Sequence, residues 1–475
     1  MQSFDCAIVG AGPAGMSAAL TLAERGLRIA VLDRGQRAGG QIYRSASQSP
    51  LPDASVLGPD YTKGADLIAR FEKADVTHLS GADAWHLGDD GRILFSQDHS
   101  THELHCREML LCPGAMERPM PIPGWTLPGV MTAGAAQVML KSDATVADGA
   151  VFAGSGPLLY LIVAQYLRLG VPIAAVVDTT PKDNYLASAP LLPRALKQAR
   201  QLAKGLGLLN EIRRSGVPVF RFASKLQVLG HETAEGLRFD AGGKTHDIAA
   251  ETVFLHHGVQ PNLNMTRAME LDHMWNAQQL CWQVVTDPFG QSSVPHVSVA
   301  GDGGGIIGAD GACHAGQLAA LNILYRLNRI TLAQRDTEAA SPLAELAAMA
   351  PFRAFADRLY RPAEALRLPQ EDDTLVCRCE EQTRRDLRRG FDLGARDPNA
   401  LKSLTRCGMG PCQGRQCGHI VAGLLSDWRG DSAEDTGYYR LRSPQRLLTL
   451  EELSRFDHVT PAQALPTRQQ NEAPE

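Results

Sequence analysis

The sequence lacks the features that mark membrane, secreted and nucleic-acid-binding chains. No apolar run approaches the length of about 18 residues that a membrane-spanning helix requires, so we expect no membrane span. Residues 1–5 lead into an apolar run without a basic region, and we expect no secretory signal. The 47 Lys and Arg residues are outnumbered by 52 Asp and Glu, giving a net charge of −5. We therefore expect no nucleic-acid partner, because no basic field would attract one.

Cysteine is scarce outside one region. Five of the ten cysteines lie between positions 377 and 417, and the other five are scattered. A secreted disulfide framework would distribute its pairs along the chain, and a thiol–disulfide reductase would show a CxxC or CxxxxC spacing. The scattered cysteines show neither pattern and are predicted to be small buried hydrophobes: Cys6, Cys106, Cys112, Cys281 and Cys313. The grouped cysteines instead indicate metal ligation in a reducing compartment.

The remaining composition is that of a folded globular protein of about three domains, with 475 residues of which 44% are hydrophobic. A strand–turn–helix–strand pattern occurs at 4–32 and again at 149–177. Two such units about 140 residues apart predict an α/β fold with two doubly wound dinucleotide-binding domains.

The first unit contains a GxGxxG turn at residues 10–15 (Gly-Ala-Gly-Pro-Ala-Gly). Its glycines permit a tight turn, a close approach of a pyrophosphate and close packing of the helix, whose N-terminus stabilises the phosphate charge. The acid that closes the second strand can accept from ribose hydroxyls and would repel a 2′-phosphate, which leaves NAD or FAD. The predicted contacts are Gly10, Gly12, Pro13, Ala14, Gly15, Asp33 and Arg34.

Three later segments resemble the flavin-contact segments of flavoproteins with two dinucleotide-binding domains, such as thioredoxin-reductase-like and ferredoxin-reductase-like enzymes. They are Gly39-Gly40-Gln41, Pro113-Gly114-Ala115 and Ala300-Gly301-Asp302-Gly303. The resemblance spans roughly residues 4–325 and implies FAD as the cofactor, with Asp302 on its ribityl chain. It adds to the predicted contacts Gly40, Gln41, Gly114, Gly301 and Asp302. Asp302 could also cap the helix that follows.

The second turn, residues 154–159 (Gly-Ser-Gly-Pro-Leu-Leu), departs from the fingerprint. Leu159 stands at the third glycine position, where a side chain would push the helix away from the strand. Asp178 nevertheless closes the following strand. Two alternatives stay open: the turn is retained for the fold only, or it holds a second nucleotide, ATP or NAD(P)H. Within the second alternative, productive binding of NAD(P)H is disfavoured.

The grouped cysteines form a CxC pair followed, after 32 intervening residues, by a Cx4C pair. Four thiolates suit a [2Fe–2S] cluster or zinc, and the CxC spacing is tighter than a zinc knuckle. Their surroundings, residues 376–381 and 405–414, resemble the [2Fe–2S] domain of the bacterioferritin-associated-ferredoxin type. That resemblance implies Cys407 as a neighbour of the cluster, and as its ligands Cys377, Cys379, Cys412 and Cys417. Zinc and free thiols are the alternatives.

Nearly the whole chain resembles the α (A) subunit of bacterial heteromeric dehydrogenases. This class includes opine (nopaline and octopine) oxidases, D-hydroxyproline and dye-linked proline dehydrogenases, and hydrogen cyanide synthase. The resemblance implies an FAD and iron–sulfur subunit that passes electrons to an acceptor, while a β subunit with its own flavin oxidises the amine, amino acid or opine. A small γ subunit is a further expected partner. We expect a cytoplasmic protein, with peripheral attachment to the inner membrane as an alternative.

Two other functions stay open. One is a stand-alone NAD(P)H-dependent ferredoxin or acceptor reductase, and the other is a non-catalytic assembly subunit. No carboxylate clamp for a substrate can be identified, since Arg44, Arg118 and Arg194 look no different from surface arginines. The predicted units are a FAD-binding domain (1–140 and 286–331), a second Rossmann-like domain (141–285), a connector (332–374), a [2Fe–2S] domain (375–430) and a tail (431–475).

Overall fold

A computed structural model describes residues 3–455. The last part of the predicted tail, residues 456–475, lies outside the described residues. Within 3–455, no helix combines the length and the apolar character needed to cross a membrane.

The first strand–turn–helix–strand unit forms where the sequence predicts it. The helix begins at Pro13, a position where the missing N–H of proline is no loss. The strand that leads to the Pro113-Gly114-Ala115 segment is twelve residues long. The elements of this part are β1 (Ser3–Val9), α1 (Pro13–Ala23), β2 (Ile29–Asp33), α2 (Pro59–Lys73), β3 (Thr77–Ser80), β4 (Asp83–Leu87), β5 (Arg92–Gln97), β6 (Ser100–Leu111) and β7 (Ala115–Glu117).

The second unit also forms as predicted and is followed by a three-stranded antiparallel sheet, β12–β13–β14 below. The elements are β8 (Val130–Thr132), α3 (Ala133–Asp143), β9 (Ala150–Gly154), α4 (Pro157–Arg168), β10 (Ile173–Asp178), α5 (Lys182–Ser188), α6 (Leu192–Ala195), α7 (Ala199–Arg214), β11 (Val219–Arg221), β12 (Ser224–Leu229), β13 (Gly236–Ala241), β14 (Lys244–Ala249), β15 (Val253–His256) and β16 (Val259–Pro261).

The chain then returns to the first sheet. A hairpin formed by β17 and β18 comes first. The strand β19 then pairs with β6 of the first sheet, and α9 follows it. The elements are α8 (Asn264–Ala268), β17 (His273–Asn276), β18 (Cys281–Val284), β19 (Val297–Val299) and α9 (Gly308–Arg326).

Most of the predicted connector is a single long helix, although it contains prolines. Pro342 and Pro351 both lie inside one 28-residue helix, which packs along α9 and buries Ala339. The remaining elements are α10 (Leu332–Leu359), α11 (Glu364–Arg367), β20 (Leu375–Cys377), β21 (Gln382–Thr383), α12 (Arg384–Asp392), α13 (Pro398–Thr405), α14 (Gly418–Arg429), α15 (Ala433–Thr436) and α16 (Leu450–Ser454).

Strand order explains where the predicted contacts meet. The first sheet has the order β3-β2-β1-β6-β5-β4, and β19 pairs with the end of β6. The strands β2, β1, β6 and β19 are parallel to one another. Their carboxyl ends therefore share one edge of the sheet, where ligands of doubly wound folds bind. The second sheet, β11-β10-β9-β15-β8, is parallel throughout.

Candidate functional site

The carboxyl edge of the first sheet gathers the predicted FAD contacts. Gly10 follows β1, Asp33 ends β2, Gly114 follows β6 and Gly301 follows β19. Gly10 has φ +111, and a side chain there would collide with the carbonyl oxygen of Cys112. Glycine is required at this position, because the chain passes so close to the end of the neighbouring strand.

The turn after β1 is held by the acid that ends β2. One oxygen of Asp33 accepts from the backbone N–H of Ala11 at 2.5 Å, and the other accepts from Gly35 at 2.6 Å. Arg34 extends outward, with 75% of its side chain exposed, and its guanidinium lies 3.6 Å from the Asp83 carboxylate. Asp33 thus fixes the turn and keeps lone pairs for ribose hydroxyls.

The Gly40–Gln41 segment lies directly over the turn. A Cβ placed on Gly12 would have only the Cα of Gly40 near it, at 3.9 Å. A buried lysine that the sequence analysis missed holds this segment: the Lys141 ammonium donates to the carbonyl oxygens of Ile42 at 2.8 Å and Gln41 at 3.4 Å. Burial, together with Arg44 nearby, lowers the pKa of Lys141 to about 7.

Asp302 both caps a helix and faces the edge of the sheet. Its Oδ1 accepts from the backbone N–H groups of Ile307 and Gly308, each at 2.8 Å, at the start of α9. No described residue bonds to its Oδ2, so this oxygen can accept from a ligand hydroxyl. The capping role and the cofactor role are therefore compatible, as the sequence analysis allowed.

The edge has the chemistry that FAD needs. Gly114 has φ +66, and a Cβ there would meet no atom within 4 Å, which leaves open space beside it. Asn262 donates to the Gly114 carbonyl at 3.0 Å, while its buried side-chain oxygen has no partner among the described residues. An open cradle, an unpartnered buried acceptor and a free carboxylate oxygen fit a ligand with phosphates and hydroxyls.

The second turn has a different conformation from the first. Gly156 has φ +109, whereas Gly12, at the equivalent position, has φ −79. A side chain on Gly15 would collide with the Gly10 carbonyl, yet Leu159 is accommodated and fully buried. The second turn therefore accommodates a leucine at the position where the first turn requires glycine.

The acid of the second turn is covered. Asp178 is 5% exposed and accepts from the backbone N–H of Thr180 at 2.9 Å, and burial, helped by the charge of Asp178, raises the pKa of the Tyr160 hydroxyl. Tyr360, at the end of α10, stacks edge-on against Tyr160 with ring centroids 6.0 Å apart. The side-chain amide of Asn184 donates to the backbone carbonyls of Leu359 and Arg361 at the same end of α10. This packing occupies the place where NAD ribose hydroxyls would meet the acid.

The thiols of Cys377, Cys407 and Cys417 are buried, with their sulfur atoms within 4.8 Å of one another. Hydrogen bonds from the other two thiols lower the pKa of Cys377 to about 2. Cys379 is exposed, and its side chain contacts that of Cys412. The structure thus brings all four predicted ligands into one region, together with Cys407. Which four of the five sulfurs bind metal stays a prediction.

Two consecutive tyrosines of the predicted tail complete this site, and the sequence analysis did not identify them. The Tyr439 hydroxyl donates to the Cys407 carbonyl at 3.0 Å and lies 3.5 Å from the Cys407 sulfur. Its ring fills the space beside Gly408 and Gly414, where any side chain would meet it. The two glycines therefore let the cysteine loop close around the tyrosine.

A hairpin links the carboxyl edge of the first sheet, which is the candidate flavin site and is called the flavin edge below, to the site formed by the grouped cysteines, called the cysteine site. On one side, Gln279 between β17 and β18 bonds to the backbone N–H and carbonyl of Ile306. On the other, the Trp282 backbone N–H donates to His419 at 3.4 Å. The Arg267 guanidinium lies between the rings of Trp282 and Tyr438, at 4.7 and 5.2 Å from their centroids. The two candidate cofactor sites are thus joined by buried packing.

The scattered cysteines take no part in either site. Cys6, Cys106, Cys112 and Cys281 are buried as predicted, and Cys313 is half-buried in α9. Burial raises the pKa of Cys106 and Cys112 to about 12. Such thiols are not reactive at neutral pH, which agrees with the absence of a redox pair in the sequence.

Replacement of Gly12 tests the flavin edge. The φ of −79° suits any residue, and a Cβ has room, so Gly12→Val should fold while its side chain excludes the pyrophosphate. The purified variant should lose most flavin absorbance. Gly207→Val, at an open position of α7, serves as the control and should keep it. Full flavin content in Gly12→Val would show that the cofactor lies elsewhere.

Single cysteine replacements test the ligand set. Cys412→Ser should lose the roughly two irons per chain that one [2Fe–2S] centre contains, whereas Cys407→Ser should keep them. Cys313→Ser, remote from the site, is the control. Iron and zinc content of the anaerobically purified variants gives the answer. Loss of iron in Cys407→Ser, with retention in Cys412→Ser, would make Cys407 the ligand instead.

Comparison with known proteins identifies the family of this chain. The family model for pyridine nucleotide-disulphide oxidoreductases matches residues 4–302. The A subunit of opine oxidase from Agrobacterium tumefaciens is 39% identical over 469 residues, covering 97% of this chain and 93% of that protein. The HcnB subunit of hydrogen cyanide synthase from Pseudomonas aeruginosa is 33% identical over 459 residues, covering 92% of this chain and 95% of that protein.

A solved structure shares the overall fold. The L-proline dehydrogenase structure from P. horikoshii superposes with a TM-score of 0.68 at 16% identity, covering 95% of this chain and 79% of that one. The flavin-binding family, the two parallel sheets and the near-complete coverage agree with one another. The chain therefore belongs to the family of the opine oxidase A subunit and the hydrogen cyanide synthase HcnB subunit, within the pyridine nucleotide-disulphide oxidoreductases.

Proposed function

We propose that this chain is the FAD and [2Fe–2S] subunit of a heteromeric dehydrogenase that oxidises an opine, an amino acid or a secondary amine. Its relatives are subunits of multi-subunit enzymes, which supports a flavoprotein dehydrogenase subunit. The observation that carries the proposal is the juxtaposition described above: a flavin edge and a five-cysteine site joined through the Trp282 hairpin.

The residues at the flavin edge bind and orient the cofactor. The N-terminus of α1 would face the pyrophosphate, Asp33 the adenosine ribose and Asp302 the ribityl chain. Lys141 holds the Gly40–Gln41 segment by donating to the backbone carbonyls of Gln41 and Ile42. When bound, FAD accepts an electron pair and can release the electrons singly.

The cysteine site would hold a carrier of single electrons. The proposed ligands are Cys377, Cys379, Cys412 and Cys417, and a bound [2Fe–2S] cluster would supply one-electron chemistry. Cys377 and Cys417 are almost fully buried, whereas Cys379 is exposed. The site therefore has a buried side, toward the Trp282 hairpin, and an outer side from which an electron acceptor protein could be reached.

Substrate oxidation is assigned to a partner flavoprotein, the β subunit. None of the three arginines considered for a carboxylate clamp forms a pair suited to that task. Arg118 is buried, contrary to expectation, and both of its guanidinium NH2 groups donate to backbone carbonyls. Arg44 bonds to Gln41, and Arg194 is exposed on α6. A small γ subunit, a cytoplasmic location and peripheral attachment to the inner membrane belong to the same proposal.

The reductase alternative needs a working NAD(P)H site, and the covered Asp178 argues against one. Anaerobic NADH or NADPH should therefore leave the flavin oxidised on the timescale of turnover. Rapid bleaching by either nucleotide would favour the reductase. ATP at the second turn is compatible with this proposal. A colourless purified protein would instead favour the non-catalytic assembly subunit.

Reconstitution tests the division of labour. The isolated chain should contain FAD and iron but show no dye reduction with opines, proline derivatives or glycine, because no carboxylate clamp that would aim a C–H bond of such a substrate at a flavin is identified within residues 3–455. Co-expression with a second flavoprotein subunit should restore activity in one co-eluting complex. Gly12→Val in that complex should stop electron delivery to the acceptor. Substrate-dependent dye reduction by the isolated chain would contradict the subunit proposal.

A further inference from the structure

Arg267, in α8, is a cation that the fold holds without an anionic partner. Its guanidinium lies 4.7 Å from the centroid of the Trp282 ring and 5.2 Å from that of Tyr438. Its Nε and Nη2 atoms are buried and donate to no described residue. Within residues 3–455, no salt bridge involves this side chain. A positive charge is therefore held between two aromatic rings, beside the hairpin that links the flavin edge to the cysteine site.

The described residues around Arg267 do not compensate its charge. Arg118, which is also buried, donates to two backbone carbonyls. Arg267 donates to no described carbonyl or carboxylate, and the acid three positions after it, Glu270, pairs with Arg440. Burial lowers the pKa of Arg267 to about 10, so its side chain stays charged at neutral pH. Because an unpaired buried charge destabilises a fold, a nearby anion would offset that cost.

Tyr438 connects Arg267 with the cysteine site. The Tyr438 hydroxyl lies beside Gly418, where any side chain would collide with it, and Gly418 directly follows Cys417. Burial raises the pKa of Tyr438, the charge of Cys417 raises it further, and the Arg267 guanidinium opposes that rise. One ring therefore lies in the electric field of both the cation and a proposed cluster ligand.

We propose that Arg267 stabilises the reduced form of the [2Fe–2S] cluster and so raises the reduction potential of the cluster. This inference rests on the proposed function, because it requires the cluster. A cluster held by four thiolates is an anion, and reduction adds one more negative charge. Since Arg267 is unpaired and shielded from water, its field is weakened less than that of a surface cation. Its charge thus favours electron transfer from the flavin edge to the cysteine site.

Only one electron moves in this step, and the cluster gains it. The reduced flavin loses that electron in the proposed complex, and a redox mediator loses it in the test below. No covalent bond forms or breaks.

A role in packing alone is the competing explanation. A guanidinium between two aromatic rings stabilises a fold through cation–π contacts. If Arg267 had only this role, its replacement would lower the melting temperature. The reduction potential of protein that still holds the cluster would then stay unchanged.

An anaerobic redox titration of the purified full-length chain separates the two roles. The electron paramagnetic resonance signal of the reduced cluster gives its midpoint potential. Arg267→Met removes the charge and keeps an apolar side chain between the rings. It should lower the equilibrium constant for cluster reduction about tenfold, which is about 59 mV for one electron. Arg267→Lys keeps the charge and should keep most of the potential.

Arg442→Gln is the matched control. Arg442 is exposed and lies three positions after Tyr439, so water and salt screen its charge, and its replacement should leave the potential unchanged. Iron content and flavin absorbance show which variants hold both cofactors.

An unchanged or higher potential in Arg267→Met would overturn the proposal, as would an equal shift in Arg267→Met and Arg267→Lys. If only Arg267→Met lost the cluster, the charge itself would be needed and the proposal would stand. Loss of the cluster from both variants would assign packing alone to Arg267 and overturn it. Absence of the signal from the unmodified chain would instead refute the cluster of the proposed function, and this inference with it.

Discussion

The parallel alignment of four strands determines where this protein can do chemistry. Because β2, β1, β6 and β19 run the same way, four segments that lie far apart in sequence end at one edge of one sheet. The glycines at that edge leave room for a ligand, and the acids hold the turns while keeping oxygens free. Reversal of any one strand would remove its segment from the site, so the flavin function depends on this alignment.

The cysteine site depends on contacts of longer range. Its loop closes on Tyr439, and Tyr438 with Arg267 and Trp282 ties it to the hairpin beside the flavin edge. Trp125, in the loop between β7 and β8, donates its indole N–H to the backbone carbonyl of Leu375 in β20. The proposed one-electron carrier is useful only at a short distance from its donor, and this buried packing holds the two described regions together.

Much of this arrangement could be predicted from local sequence. The Gly10–Gly15 turn, the acid at Asp33 and the helix cap at Asp302 follow from spacing, because each acts on neighbours in the chain or on the next strand. Lys141 and Tyr439 could not be predicted, since Ile42 and Cys407, to which they donate, lie 99 and 32 positions away. The cover over Asp178 could not be predicted either, since Tyr360 comes from the far end of α10. Arg118 looked like a surface residue for the same reason: its partners are carbonyls on a distant hairpin.

Counting electrons tests the central claim that one chain joins a flavin to an iron–sulfur cluster. In an anaerobic reductive titration of the purified chain, the account predicts uptake of about three electrons per chain, two by FAD and one by a [2Fe–2S] cluster. Electron paramagnetic resonance of the fully reduced protein should show the signal of a reduced [2Fe–2S] centre at about one spin per chain. Uptake of only two electrons with no such signal, in protein purified without oxygen, would contradict it.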